Sequence, residues 1–282
     1  TEDMLNGIEG VMDLAAASGE DLAGVSDIVT DAMTAFGLSA DGTTKIIKDG
    51  FTKEVSNASH FADVLAAASA NSNTNVAMLG ESFKYAAPVA GSLGYSVEDT
   101  AIALGLMASS GLKSSMAGSS LRTILTNLAK PTDDISDAMD YLGISLQNGD
   151  GSMKSLMDIV TDLRGAFGQC KMPMDQFQEN LAKLDEKYAN GELTEKKYNE
   201  ALADLTEKAY GAEGALKAKY AATLAGKEGM SGLLSIVSAA PEDFDKLTNA
   251  IYNSDGAAKE MAEIKMDNLQ HDVVKLQSAM EG

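Results

Sequence analysis

The side chains with the widest chemistry in this chain are two histidines, His60 and His271, and one cysteine, Cys170. A cysteine next to a histidine can act as a nucleophile, and histidines and cysteines at short spacings bind zinc or carry out redox reactions. Neither histidine lies in an H-x-x-x-H or C-x-x-C arrangement, so the sequence lacks the common zinc and redox motifs. A pairing of Cys170 with His60 stays open, although a single cysteine among small residues is more often simply packed.

A run of four aspartates could supply a carboxylate pair for acid-base catalysis: Asp133, Asp134, Asp137 and Asp140. The run follows Pro131 and Thr132, which are typical of a helix stop and a helix N-cap. The first two aspartates then fall in the first helical turn, where the helix dipole favours negative charge, and the others continue an exposed face. This pattern favours helix capping over catalysis.

Other catalytic motifs are missing from the sequence. The chain has no P-loop, dinucleotide fingerprint or G-x-S-x-G sequence, and the stretch N-G-D-G-S at 148–152 lacks the spaced carboxylates and closing glutamate of a calcium loop. We therefore expect a protein that is not an enzyme and uses no cofactor or metal. A hydrolase built on Cys170 or the aspartates is the remaining enzymatic alternative, and a Cys170→Ala variant in a peptidoglycan assay would test it.

Composition favours a helical protein that binds neither nucleic acid nor anionic lipid. The 282 residues are 45% hydrophobic but only 5% aromatic, and the apolar residues are mainly alanine, leucine, valine and methionine. Such small and flexible side chains suit closely packed helices. The net charge of −20 would repel phosphate groups, so stable nucleic-acid binding is not expected.

The single cysteine excludes an internal disulfide, so nothing in the sequence requires an oxidising compartment. The chain starts at Thr1 and shows no signal peptide. We expect it to be a fragment of a longer protein.

The fold class expected is all-α: a multi-helix bundle of helical hairpins. Three stretches, at 36–39, 93–96 and 142–145, repeat the order apolar, glycine, apolar, serine. In this order the glycine can end a helix in the left-handed conformation while the next apolar residue folds back on the last turn. Tight-turn dipeptides at 145–153 make one small β-hairpin there as plausible as an ordinary loop.

Blocks of charge divide the chain into three predicted parts. Residues 1–42 hold nine acidic side chains and no Lys or Arg, and 55–132 hold only eight charged groups, whereas 171–228 hold twenty. We expect an Ala/Gly/Ser-rich helical core at 1–170, a charged helical-hairpin insertion at 171–225, and a C-terminal part of the core at 226–282. The amphipathic segments at 174–210 predict the hairpin itself.

The least charged stretch, 99–128, predicts a buried helical hairpin. Small residues recur at one helical face on each side of Gly111: Ala101, Gly105, Ser109, Ser114 and Gly118. They would let two helices approach closely. The uncharged run from Thr100 to Leu112 would cover only about 20 Å as a helix, too short to span a bilayer core of about 30 Å.

The last segment carries a heptad pattern. Apolar residues step by three and four residues at Met266, Leu269, Val273, Leu276 and Met280. This spacing predicts a seam between copies of the chain, and a terminal helix packed on its own domain is about equally plausible.

Three long segments, 14–40, 60–132 and 226–262, resemble the core of tape measure proteins of long-tailed bacteriophages and prophages. The middle segment, which contains "GYSVEDTAIALGLMASSGLKSSMAGSSLRTILTNLAKPT", carries most of the resemblance. The charged hairpin interrupts it, and the long repetitive region that measures tail length in this family is not among these residues.

The resemblance implies a structural protein of the virion that lies in the phage tail lumen and passes through the host cytoplasm during assembly. It implies multimers such as a trimer or hexamer, and the tail tube protein, tail assembly chaperones and tail-tip or baseplate proteins as partners. It also implies a part in tail assembly, length determination and genome delivery. A different class of function stays open: a membrane-active module in which 97–128 inserts into the host inner membrane during DNA ejection.

Overall fold

The computed structural model describes residues 2–48, 51–168, 174–210 and 214–268, and their side chains over 7–47, 52–168, 176–209 and 218–268. The elements follow in the order α1 (Glu2–Ser18), α2 (Leu22–Ala35), β1 (Thr43–Lys48), β2 (Phe51–Ser56), α3 (Asn57–Asn71), α4 (Val76–Ser92), α5 (Val97–Ser109), α6 (Ser114–Ala129), α7 (Asp133–Leu142), α8 (Leu156–Phe167), α9 (Met174–Ala189), α10 (Glu195–Tyr210), α11 (Gly214–Ser238) and α12 (Pro241–Tyr252). A further helix, α13, is described over 257–268. The all-α class predicted from the sequence is confirmed.

Local sequence signals set the helix ends. All three repeated glycine stretches end a helix. The N–H groups of Leu38, Tyr95 and Ile144 each donate to the carbonyl five residues earlier, on Met33, Ala90 and Met139. The glycine between has a positive φ in each case. This is the Schellman arrangement that the sequence predicts. Thr132 caps α7 through a hydrogen bond from Ile135 N, and Asp133 and Asp134 lie in the first turn, so the capping interpretation is confirmed.

The helices pack in two layers around one continuous core. In the first layer α4 lies between α2 and α6, and α6 packs along α11; in the second, α3 contacts α1, α5 and α12. Close approach depends on glycine: a Cβ on Gly118 of α6 would overlap the Ser82 carbonyl oxygen of α4. Phe61 and Phe83 pack edge to face at the centre, with ring centroids 5.3 Å apart.

The β-structure lies elsewhere than predicted. β1 and β2 pair antiparallel, with Thr43 opposite Ser56 and Lys48 opposite Phe51. The segment 145–153 instead forms a tight turn with a single bridge between Gln147 and Met153. Its arms are too short for a ladder, because Ile144 ends one helix motif and Ser155 caps the next helix, α8.

The charged helical hairpin forms as the sequence predicts, from α9 and α10. The apolar face of this amphipathic pair is buried: Phe177, Leu181, Tyr198, Leu202 and Leu205. Gly191 takes a positive φ of 75° in the connecting turn. α10 packs on α11, and α11 is broken at Gly226, whose φ of 65° and ψ of 177° are not helical.

α13 returns to the start of the chain and lies beside α1 in the same direction. Near the beginning of α13 and the middle of α1, Lys259 Nζ is 3.7 Å from Glu9 Oε1. Further along, Lys265 Nζ donates to the Ala17 carbonyl oxygen at 3.3 Å. The two contacts advance together along both helices, so α1 and α13 are parallel.

Candidate functional site

Several polar and ionisable side chains, most of them buried, gather at one junction of the fold. It forms where α3, α5 and the segment after α12 meet. Its members are the buried His60, Asp63 and Asp99, the largely buried Glu98, and Tyr252, which is 49% exposed. Buried charge is costly unless it is paired or hydrogen-bonded, so each contact in the cluster has a physical reason to exist.

His60 of α3 and Glu98 of α5 form the first contact. His60 Nε2 lies 2.9 Å from Glu98 Oε1, and both side chains are largely buried. Burial alone would raise the pKa of the Glu98 carboxyl, but its hydrogen bond to His60 and the charge of that residue outweigh burial and lower the pKa. The pair ties the middle of the second layer together.

Asp99 joins three helices. Its backbone N–H donates to the Ser96 hydroxyl at the start of α5. Its carboxylate accepts hydrogen bonds from the Tyr252 hydroxyl at 2.5 Å and from the Met157 backbone N–H at 3.3 Å. Burial, followed by this hydrogen bond, raises the pKa of Tyr252 well above its usual value, so the hydroxyl keeps its proton and acts as the donor.

Asp63 binds the start of α13. Its two carboxylate oxygens accept hydrogen bonds from the backbone N–H groups of Gly256 and Ala258, at 2.8 and 2.9 Å. These are N–H groups that a helix start leaves without an intrahelical partner, so Asp63 caps α13 across 193 residues of sequence. Burial raises the pKa of Asp63, although the two hydrogen bonds oppose that shift.

An ion pair covers the same junction on the outside. Lys53 Nζ of β2 lies 2.9 Å from Asp255 Oδ1, just before α13 begins. The hairpin thus contacts the C-terminal segment, and both the buried and the exposed contacts connect residues far apart in the chain.

The arrangement is that of a structural junction. The carboxylates accept hydrogen bonds from a histidine, a tyrosine and three backbone N–H groups, and these contacts hold α12 and α13 against α3 and α5. Within the ranges that the structure describes, no three His, Cys, Asp or Glu side chains are grouped so that they could hold a metal ion. Cys170 and His271 lie outside the described residues.

The small residues of 99–128 lie on two helices but face different neighbours. A Cβ added to Gly105 of α5 would meet Leu247 of α12, whereas Gly118 of α6 faces α4. Ser114 begins α6 with a positive φ of 57°, and its carbonyl accepts a hydrogen bond from Ser82 of α4. Ala101 is fully buried, and Ser109 is the last residue of α5.

The predicted seam is described only at its first position. Met266 lies on α13 and is 61% exposed. The other four positions, Leu269, Val273, Leu276 and Met280, lie outside the described residues.

Sequence reasoning missed the cluster as a site. Asp63 is the only charged residue of α3 within "FADVLAAASA", a signal that an isolated acid in an apolar helix has a buried partner. That signal does not name the partner, since Gly256 and Ala258 lie almost 200 residues away.

The chain was then compared with known proteins. The sequence profile of the family described as "Phage-related minor tail protein" matches residues 1–184. A "Tape measure protein" of Pneumococcus phage Dp-1 is 35% identical over 279 residues, covering 99% of this chain and 19% of that protein. A "Probable tape measure protein" of Escherichia phage P2 is 26% identical over 236 residues, covering 83% of this chain and 24% of that protein.

No solved structure matches the chain. The chain spans about a fifth of the length of the phage Dp-1 protein and about a quarter of that of the phage P2 protein.

Proposed function

Since the chain belongs to the phage-related minor tail protein family, we propose that it is a structural domain of a tail tape measure protein. The observation that carries this proposal is the similarity to a tape measure protein over nearly all of the chain. The domain acts through protein–protein contacts in tail assembly and genome delivery and performs no catalysis. Length determination belongs to the longer protein of which these residues form one part.

The buried polar cluster supports a structural role. Its acids hold distant segments of the domain together: Asp63 binds the start of α13, and Asp99 binds Tyr252 of α12. The surface charge agrees with a place in the tail lumen: a net charge of −20 repels DNA, so DNA could pass the protein without being held.

We place the parts of the domain as the sequence suggests: core at 1–170, charged hairpin insertion at 171–225, and the remaining core at 226–282. The break of α11 at Gly226 supports the second boundary, because the helix changes direction where the charged part ends. The exposed, charged outer faces of α9 and α10 support an insertion on the surface.

Partners follow from the family. We propose that copies associate into a trimer or hexamer along Met266, Leu269, Val273, Leu276 and Met280. The other contacts are with the tail tube protein, the assembly chaperones in the host cytoplasm and the tail-tip or baseplate proteins. The exposed Met266 on α13 supports the start of that seam.

A deletion in the phage tests the proposal. Residues 57–238 would be removed in frame from the full-length gene, and the particles examined by negative-stain electron microscopy, with the unmodified gene supplied from a plasmid as the control. We expect heads without complete tails, and tails restored by the plasmid. Normal, infectious tails from the deletion would contradict a role in assembly.

The membrane-active alternative concerns 97–128. α5 is buried over most of its length and uncharged from Thr100 onward, which is the observation that favours it. In the described part of the chain, no helix has both the length and the apolar character needed to cross a bilayer. Dye release from neutral and anionic vesicles would support this alternative, and intact vesicles would favour the structural role alone.

A further inference from the structure

An apolar groove separates α1 from α2. It encloses about 520 Å³ and is lined on one side by Ile8, Val11 and Met12 and on the other by Leu22 and Val29. The loop at 39–41, which follows α2, also lines the groove.

Three large apolar side chains stand half exposed along this groove. Ile8 is 55% exposed, Met12 52% and Leu22 49%. Other exposed apolar residues, such as Ile47 on β1 and Met116 on α6, lie on separate elements. Apolar side chains concentrated along one groove, above a buried floor of Val29 and Met33, are typical of a protein-binding surface.

The negative charge around the groove favours a partner with positive charge. Residues 1–42 contain nine acids and no Lys or Arg, and Asp41 lines the groove itself. Asp27 and Asp31 are exposed on α2 next to the lining residues. Lys53 and Lys259 line a different cleft, together with Glu9 and Asp13 of α1. The groove therefore has an apolar floor and an acidic rim.

We propose that this groove binds an amphipathic helix of a partner protein, with apolar residues in the groove and Lys or Arg beside the acids of α2 and the loop at 39–41. From Leu22 to Met33 the groove follows α2 for about 16 Å, which is the length of three helical turns. A helix with apolar residues at i, i+3, i+4 and i+7 presents a face of that length.

Two other occupants fit less well. A second copy placed by its own α1 and α2 would bring two acidic surfaces together, which costs free energy. A bilayer surface contacts convex apolar faces, whereas this surface is concave, and anionic lipid would be repelled by the rim.

The test uses two fluorescent peptides of about 14 residues and the 282-residue chain. Both peptides carry leucine at i, i+3, i+4 and i+7; one has lysine at the polar positions and the other has glutamate. Fluorescence anisotropy measures peptide binding at about 0.15 M salt, where the Debye length is about 8 Å. We expect the lysine peptide to bind and the glutamate peptide to bind at least about tenfold more weakly.

Neutral substitutions separate the groove from general charge attraction. Met12→Gln and Leu22→Gln keep the charge but remove apolar contact, and each should weaken the lysine peptide about tenfold, as expected for one large buried side chain. Met116→Gln is the matched control, since Met116 is 65% exposed on α6 and does not line the groove. It should leave binding unchanged. Circular dichroism melts check that all three variants fold.

Three results would overturn the proposal. One is failure of the lysine peptide to bind. Another is binding that Met12→Gln and Leu22→Gln leave unchanged, which would indicate charge attraction alone. The last is a dimer of the unmodified chain in sedimentation velocity that both groove variants abolish and Met116→Gln preserves, since a second copy would then occupy the groove.

Discussion

Single side chains hold the C-terminal segment of this domain in place. Asp63 accepts hydrogen bonds from the backbone N–H groups of Gly256 and Ala258 at the start of α13, and the Tyr252 hydroxyl donates a hydrogen bond to Asp99. Removing one partner from such a buried contact leaves the other unsatisfied, which costs more than the contact itself contributes. The stability of α12 and α13 on the core therefore depends on a few acids contributed by α3 and α5.

The contact of Glu98 with His60 predicts a pH-dependent loss of stability. Because the folded state lowers the pKa of Glu98, its contribution is present above the usual carboxyl pKa of about 4.3 and is lost as the pH falls through the lowered value. Glu98→Gln should lower the free energy of unfolding by about 1–3 kcal/mol at about pH 6, as for a hydrogen bond to a charged group.

Urea unfolding between about pH 3 and pH 7 measures this difference, which should shrink toward the acid end of the range. Glu186→Gln, at an exposed position of α9, should follow the unmodified curve throughout. A difference between Glu98→Gln and the unmodified chain that stays constant with pH would contradict the proposed role of the charge.

We expect a glycine-to-alanine substitution to have opposite effects on stability at Gly118 and at Gly165. Gly118→Ala would force the α6 backbone away from the Ser82 carbonyl oxygen and should destabilise the fold by about 1–3 kcal/mol, as overpacking does. At Gly165 of α8 a Cβ would meet no atom within 4 Å, so Gly165→Ala should stabilise by about 0.5–1 kcal/mol through backbone entropy. Urea unfolding gives the free energy of unfolding of both variants. An equal change in that free energy for the two variants would contradict the difference in packing between the two sites.

At the scale of elements, locally encoded features were predictable. The glycine stretches end their helices because the stop needs only neighbouring residues, and the amphipathic pattern of 174–210 places the correct faces of α9 and α10 inside. At 145–153 the turn dipeptides make a small hairpin and an ordinary loop equally plausible, because the dipeptides alone do not show that helix ends flank them. At 43–56, β-branched residues surround Asp49-Gly50, so the sequence carries both the strand and the turn signal there.

We expect the rest of the domain to fold cooperatively after deletion of the α9–α10 hairpin. Removing residues 174–210 takes away contacts with α11, including the hydrogen bond from Gln178 Nε2 to Ser235 Oγ at 2.7 Å. It leaves the packing of α5, α6, α7 and α8 on α11. We expect a lower midpoint but one cooperative transition in thermal unfolding.

Removal of α12 (residues 241–252) provides the comparison. This deletion takes Leu247 and Ile251 out of the core and should abolish the cooperative transition. Loss of cooperativity in the 174–210 deletion would show instead that the hairpin is part of the core.

At the scale of the whole molecule, the sequence indicates which faces are apolar but not what covers them. Periodicity places Gly105 and Gly118 on close-packed faces, yet their neighbours, α12 and α4, follow from the three-dimensional arrangement of all the helices. The same holds for Asp63 and its backbone partners, since a single sequence contains no record of contacts between distant residues.

The heptad spacing predicts self-association of the chain. Light scattering coupled to size exclusion should give a trimer or hexamer at high protein concentration. Leu269→Asp combined with Leu276→Asp should give a monomer, because charge at two central seam positions opposes helix pairing. Met116→Asp, on α6, should leave the assembly unchanged. A monomer at every concentration for the unmodified chain would place multimerisation outside these residues.

The parallel arrangement of α1 and α13 has a mechanical consequence. Residue 2 lies at one end of the helix pair and residue 268 at the other, so a tensile load applied between them would slide α1 along α13. In such shear the contacts of the pair bear the force together, whereas in peeling they break one after another. The domain should therefore resist extension through these two helices longer than a domain whose terminal helices are antiparallel.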